Sequence, residues 1–251
     1  MEILHTIGAL QAWRERQAGV SIGFVPTMGA LHAGHGALVE RARQECDRVV
    51  VSIFVNPAQF NDGGDLEAYP VETESDLDRC RELGADAVFM PTRELMYPDD
   101  YRYRVSEQRD SLRWEGAHRP GHFDGVLTVV LKLFLLVRPQ RAYFGEKDWQ
   151  QLQLVKGMVD AFFLPVEMVA CPTVRDANGL ALSSRNARLS AQGRDRAVAL
   201  NRHLLSGPSA EAAAELLRAD GFEVEYVADS DGRRMAAIHL EGVRLIDNVP
   251  L

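Results

Sequence analysis

Residues Phe24 to Arg43 read FVPTMGALHAGHGALVERAR. An apolar run ends at about Val25 and Pro26 breaks it. Small residues with Gly29, Gly34 and Gly36 follow, and an amphipathic pattern resumes near His35. Strand, glycine-rich turn and helix in this order form the mouth of a βα unit. Backbone N–H groups over Thr27 to Gly34, with the positive end of the next helix, can receive an anion such as phosphate, and glycine lets the backbone come close. His32 and His35 are three apart and project the same way if the turn is already helical, so imidazole can donate to phosphate oxygens as charge develops. For a lone histidine, a helix cap or a solvated ring is the plainer reading. The full combination favours phosphate chemistry.

Working outward, strand-like runs recur at Val20–Val25, Arg48–Val55, Asp86–Met90, Arg141–Phe144 and Pro165–Ala170. They are apolar throughout, as suits a parallel sheet covered on both faces. Helix patterns at His35–Glu45, Glu72–Leu83, His122–Val137 and Asp148–Phe162 alternate with them, which predicts a doubly wound, Rossmann-like α/β domain over residues 1–188. Beyond a loop with Pro172 and Gly179 come a polar helix pattern, an Ala-rich one (Ser209–Ala219), and short strand patterns at Phe222–Val227, Arg234–Leu240 and VRLIDN. Residues 189–251 are therefore expected to form a smaller α+β domain. The polar loop Asn56–Pro70 follows a strand's carboxyl end, where α/β sheets place ligands.

Composition narrows the function. The net charge is -8 and the pI about 5.4, so a broad electrostatic footprint for nucleic acid or an anionic membrane is missing. The most apolar run, Val126–Val137, contains Lys132 and falls well short of the roughly 20 residues that span a bilayer. The N-terminus has no secretory pattern. Cys46, Cys80 and Cys171 match neither a disulfide framework nor a zinc set, and a reducing cytoplasm is the expected setting.

Other motifs cluster around phosphate. In YFGEKDWQQL (Tyr143–Leu152), Lys147 is a point charge at a strand end and Asp148 a helix cap or acceptor. In VRDANGLALSSRNARLS (Val174–Ser190), Ser183, Ser184 and Arg185 form either a polyphosphate grip or a capping sequence. Gln59 and Gln151 carry amides that both donate and accept, which suits a small hydroxy acid beside a nucleotide. In EGAHRPGHFDGV (Glu115–Val126), an anion contact at Arg119 and His122 and a simple helix entry are equally compatible with the residues.

With PTMGALH and His-x-x-His, the chain resembles the HIGH-type nucleotidyltransferases. Adding SIFVNPAQF, RPGHFDGV, FGEKDWQQL and GLALSSRN in this order, it resembles the pantoate beta-alanine ligases from about Val25 to Leu189. That resemblance implies ATP-dependent condensation of pantoate with beta-alanine through pantoyl adenylate, releasing pyrophosphate and AMP. It implies an ATP site from Met28, Gly29, Ala30, Leu31, His32, Ala33, Gly34 and His35, with His35 as proton donor and His32 helping to hold the phosphates. It further implies nucleotide contacts at Gly145, Glu146, Lys147 and Asp148, with Lys147 stabilising the transferring phosphate, and at Val174, Leu182, Ser183, Ser184 and Arg185. Gln59 and Gln151 would hold pantoate. Magnesium would accompany ATP, with no protein ligand set visible, and a homodimer is expected. Two departures stand out: the segment after Leu189 is shorter than the family's usual lid domain, and Val71 stands where the family often has arginine. A nucleotidyltransferase that keeps the nucleotide on its product would leave Gln59 and Gln151 without a role. A non-catalytic nucleotide-binding regulator would be favoured by loss of a phosphate donor, and His32, His35, Lys147 and Arg185 are all present.

Overall fold

The strand that feeds the opening turn, β2 (Ile22–Thr27), follows a short edge strand β1 (Glu2–Leu4) and helix α1 (Ile7–Arg16). These come from a computed structural model that describes residues 1–61 and 63–251. Position 62, within the loop Asn56–Pro70, lies outside the described residues. Then follow α2 (Ala33–Glu45), β3 (Arg48–Ile53), α3 (Gly63–Glu67), α4 (Thr73–Glu82), β4 (Ala87–Phe89), α5 (Arg93–Met96) and α6 (Glu115–His118). After them come α7 (His122–Val137), β5 (Arg141–Gly145), α8 (Trp149–Ala161) and β6 (Glu167–Cys171).

β1 to β6 form one parallel sheet in the order β1-β4-β3-β2-β5-β6. The two-residue period of the strands divides their side chains between two cores. Phe24 and Val50 face a cluster with Leu127, Phe134 and Leu152 from α7 and α8. Val25, Val49 and Val51 face Leu38, Val39, Leu77 and Cys80 from α2 and α4. Helices thus cover both faces, as the unbroken apolar strands require. The chain builds outward from β2 through β3 to β4, then returns to place β5 on β2's other side. The crevice at the carboxyl ends of β2 and β5 is therefore a topological switch point, where open α/β sheets bind ligands.

Sequence reading places the end of the first strand too early, because β2 runs through Pro26 to Thr27. β5 pairs with β2 only at Gly23 and Phe24, and beyond them β3 alone continues the ladder. A residue without an N–H is tolerated where pairing is one-sided. The helix likewise starts at Ala33, not near His35.

The remaining elements are α9 (Ala191–Ser206), α10 (Ala210–Ala219) and an antiparallel sheet β7 (Glu223–Ser230), β8 (Arg233–Leu240), β9 (Val243–Pro250). They share a third core around Leu200, Leu204, Leu217, Ile238 and Leu245. Polar anchors join this unit to the first. Arg244 donates to both carboxylate oxygens of buried Glu115 at 2.7 and 2.8 Å. The Asn248 side chain donates to the carbonyls of Glu146 and Lys147 at 2.8 and 2.9 Å. The smaller unit therefore holds the backbone on which Lys147 sits.

Candidate active site

At the switch point one cavity is lined by Met28, His32, Gly34 and His35 from the β2–α2 turn and the start of α2, by Gly145, Lys147 and Asp148 where β5 passes into α8, and by Gln151 within α8. Gln59, Val174, Leu182, Ser183, Ser184 and Arg185 complete the group. Gly29, Ala30, Leu31, Ala33 and Glu146 do not line it. The first three form the base of the turn, Ala33 is exposed, and Glu146 accepts from Arg233 at 2.5 Å.

The two histidines close a reciprocal cap on α2. His32 Nδ1 accepts from the Gly34 N–H at 3.1 Å, and His35 Nδ1 accepts from the His32 N–H at 3.3 Å. Their rings lie 4.1 Å apart. A Cβ on Gly34 would sit 2.8 Å from the His32 ring, so glycine is what lets that ring fold back. With Nδ1 accepting in both rings, the proton of each neutral imidazole belongs on Nε2. Burial, followed by the nearby positive charges of Lys147 and Arg79, lowers the pKa of His32 to about 4. Burial, then His32 and the same two cations, lowers His35 to about 3. Both rings are thus neutral donors near pH 7. Capping and phosphate binding are not rival roles here, because the cap uses Nδ1 and leaves Nε2–H for a ligand.

Lys147 lies in the 3-10 turn Glu146–Asp148 after β5. Asp148 occupies the cap position of α8 but makes no side-chain capping bond, contrary to the helix-cap reading, and its carboxylate lines the cavity. Ser183 caps the following 3-10 turn through the Arg185 N–H at 3.3 Å. Arg185 and Arg188 donate to the two oxygens of Asp65 on α3 at 2.7 and 2.8 Å. Val174 and Leu182 are brought side by side by a bond from the Leu182 N–H to the Val174 carbonyl at 3.0 Å.

The opposite wall combines amides with an apolar floor of Val126, Val129, Val130 and Leu133 from α7. Gln59 is buried at the end of a 3-10 turn, and its Oε1 accepts from Asn56 Nδ2 at 2.9 Å, which leaves its amide hydrogens free to donate. Asn56 also donates to the Gly125 carbonyl at 3.1 Å and accepts from the Tyr97 hydroxyl at 2.6 Å. A Cβ on Gly125 would lie 2.6 Å from the Ala58 carbonyl carbon and 2.7 Å from the Gln59 Cα, so only glycine admits this approach. His122 Nδ1 donates to the Gln59 carbonyl at 2.7 Å, and Arg119 donates to His122 Nε2 at 3.1 Å. Burial and then Arg119 lower the His122 pKa to about 4. The RPGHFDGV motif therefore holds Gln59 in place.

Asn56, Asp76 and the α7 floor have no functional reading in the sequence. Asn-Pro at a strand end is the available signal for Asn56. Nothing local marks Asp76, whose partners lie 45 and 46 positions away. Among the described residues, no group of three or more His, Cys, Asp or Glu could hold a metal ion. No helix of the described residues is long and apolar enough to cross a membrane.

The pantoate-beta-alanine ligase family model matches residues 2–250. The chain belongs to the pantoate-beta-alanine ligase family. It is a ligase that condenses pantoate with beta-alanine at the expense of ATP. A pantothenate synthetase of Bdellovibrio bacteriovorus is 53% identical over 250 residues, covering 100% of this chain and 99% of that one. The crystal structure of pantothenate synthetase from Thermus thermophilus superposes with a TM-score of 0.92 at 46% identity, covering 100% and 99% of the two chains. The Francisella tularensis pantoate-beta-alanine ligase, solved with beta-gamma ATP and beta-alanine, gives a TM-score of 0.95 at 38% identity, covering 100% and 97%. The shortened segment after Leu189 is thus no departure from every family member, because the Bdellovibrio relative is matched over almost its whole length.

Proposed function

We propose that the cavity binds ATP and pantoate side by side and forms pantoyl adenylate before beta-alanine reacts. The observation that carries this reading is the division of one cavity into two walls: Nε2–H donors of His32 and His35 with Lys147 on one side, Gln59 and Gln151 above an aliphatic floor on the other. A pantoate carboxylate is already a nucleophile, so the first step needs no general base. Its oxygen attacks the α-phosphorus of ATP, and the bond to the β-phosphate oxygen breaks. Negative charge builds on the departing pyrophosphate, where neutral imidazole donors and the Lys147 ammonium are most useful. His35 acts here as a hydrogen-bond donor to that charge. Arg185 exchanges Asp65 for a phosphate in this reading, and Ser183 and Ser184 flank it.

In the second step the neutral amine of beta-alanine attacks the acyl carbon. The acyl–phosphate C–O bond breaks, AMP leaves with the electron pair, and the amine's proton passes to the departing phosphate or to water. The acyl adenylate is already activated, so position and exclusion of water suffice. Cys46, Cys80 and Cys171 are free and buried, and they take no part.

Magnesium arrives with ATP as substrate. It would ease the charge on the phosphates, and among the described residues no group of three or more His, Cys, Asp or Glu could hold it. Residues 189–251 serve as the covering domain, anchored at Glu115, Glu146 and Lys147. A homodimer and a cytoplasmic setting complete the proposal, both supported by the family resemblance. Mass spectrometry of products with ATP, pantoate and beta-alanine, each omitted in turn, tests the order of steps. Pyrophosphate and pantoyl adenylate are expected without beta-alanine, and AMP with pantothenate only when all three are present. AMP release that does not require pantoate would overturn the proposal.

A further inference from the structure

The opening turn has an unusual backbone. Gly29 and Ala30 both lie in the left-handed region, at φ 83° and 49°. For glycine this is easy, but for alanine it is held only where the surroundings over-determine it. The surroundings are a single buried carboxylate. Asp76 of α4 is 3% exposed, and its two oxygens accept the N–H groups of Ala30 at 2.8 Å and Leu31 at 2.7 Å. A Cβ on Gly29 would meet Asp76 Oδ2 at 2.9 Å, so the carboxylate fills the hollow of the turn. From the next turn of α4, Arg79 donates to the Leu31 carbonyl at 3.0 Å. One helix therefore grips this peptide segment by its donors and its acceptor. The residue that follows is His32, whose ring begins the cap that orients His35.

We infer that Asp76 is a positioning residue for adenylation, fixing the Gly29–Leu31 turn so that the two imidazoles present Nε2–H to phosphate. It does not line the cavity and touches no substrate. A carboxylate suits this task because it is a two-oxygen acceptor for two adjacent amides, with charge assistance to both bonds. Asparagine can accept through one oxygen only, and its NH2 would face the second amide donor to donor. The inference rests on the reading that His32 and His35 serve adenylation.

The test compares Asp76→Asn and Asp76→Ala with Leu77→Ala, a truncation of the buried neighbour on the same helix that removes packing and leaves every hydrogen bond from α4 to the turn in place. Adenylate formation from ATP and pantoate is expected to slow about 10-fold or more in Asp76→Asn and further in Asp76→Ala, through kcat more than KM, since a misplaced donor loses transition-state contact. Reaction of supplied pantoyl adenylate with beta-alanine should stay within about twofold of wild type in Asp76→Asn. Imidazole 15N spectra provide a readout independent of activity: His32 and His35 should be neutral Nε2–H tautomers in wild type and Leu77→Ala, and mixed in both Asp76 variants. Wild-type adenylation in both Asp76 variants, equal loss of both half-reactions, or unaltered tautomers would overturn the inference. His35→Ala measured alongside separates the two ideas. Slow adenylation in that variant with normal adenylation in Asp76→Asn removes the clamp but keeps the histidines, and the reverse removes the histidines from adenylation and overturns the inference with them.

Discussion

The two walls of the cavity are built differently. The side-chain caps of the phosphate wall are local: His32 accepts from the Gly34 N–H, His35 accepts from the His32 N–H, and Ser183 caps the turn that carries Arg185. The acid wall is assembled from distant parts of the chain. Gln59 is oriented by Asn56, which reaches Gly125, and by His122, 63 positions away. The contrast fits the proposed ligands. A phosphate group accepts hydrogen bonds all round, so a short turn supplies the donors once Asp76 holds its backbone. A branched hydroxy acid presents an aliphatic body with a few polar atoms, and matching it takes amides held at fixed orientation over an apolar floor.

The sharpest way to break this contrast is His35→Ala. Loss of one preorganised donor to developing charge should slow adenylation by roughly a hundredfold or more, with little change in the requirement for pantoate. Rapid-quench measurement of the two half-reactions checks this, and a variant with normal adenylation would remove His35 from the phosphate wall.

Asn56→Ala attacks the other wall through its support. It frees Gln59 Oε1 and removes partners from Gly125 and Tyr97, so the amide loses its orientation while the phosphate donors keep theirs. The half-saturating pantoate concentration should rise by about tenfold, the equivalent of about 1.4 kcal/mol, and that for ATP should move much less. Steady-state titration of each substrate with the other saturating decides it. Equal rises for both would show that the walls are not separable.

A smaller effect should appear in stability against pH. His32, His35 and His122 have folded-state pKa values lowered from 6.5 to about 4, 3 and 4. Because the unfolded chain takes up protons first, the stability these groups contribute is complete above about pH 6.5 and is lost as pH falls towards 4 and then 3. Urea midpoints should therefore drop between pH 7 and pH 4.5. The decline should be shallower in His122→Asn, which removes one neutral-buried imidazole from the acid wall. A decline as steep as wild type in that variant would remove His122 from the titrating set.

The distinction between walls also marks how far the sequence alone could reach. Alternation of apolar strands with amphipathic helices determined a parallel sheet covered on both faces, because a strand buried on two sides admits little else. The His-x-x-His turn, Lys147 and the Ser183–Arg185 run are readable because within each run the chemical groups are neighbours along the chain. Two readings near the phosphate wall needed the structure: β2 persists through Pro26 because pairing there is one-sided, and Asp148 stands at a helix cap without capping. Edge elements β1 and α1 are not legible, since three residues of strand carry too little pattern. What only the tertiary structure decided is how the chemical groups are aimed. Asp76 under the turn, Asn56 behind Gln59, Gly125 admitting the close approach and Asn248 holding the Lys147 backbone act across 3 to 101 positions. Hydrogen-bond direction depends on where partners meet in space, and periodicity in a sequence reports which face of an element is buried, not which distant donor it will face.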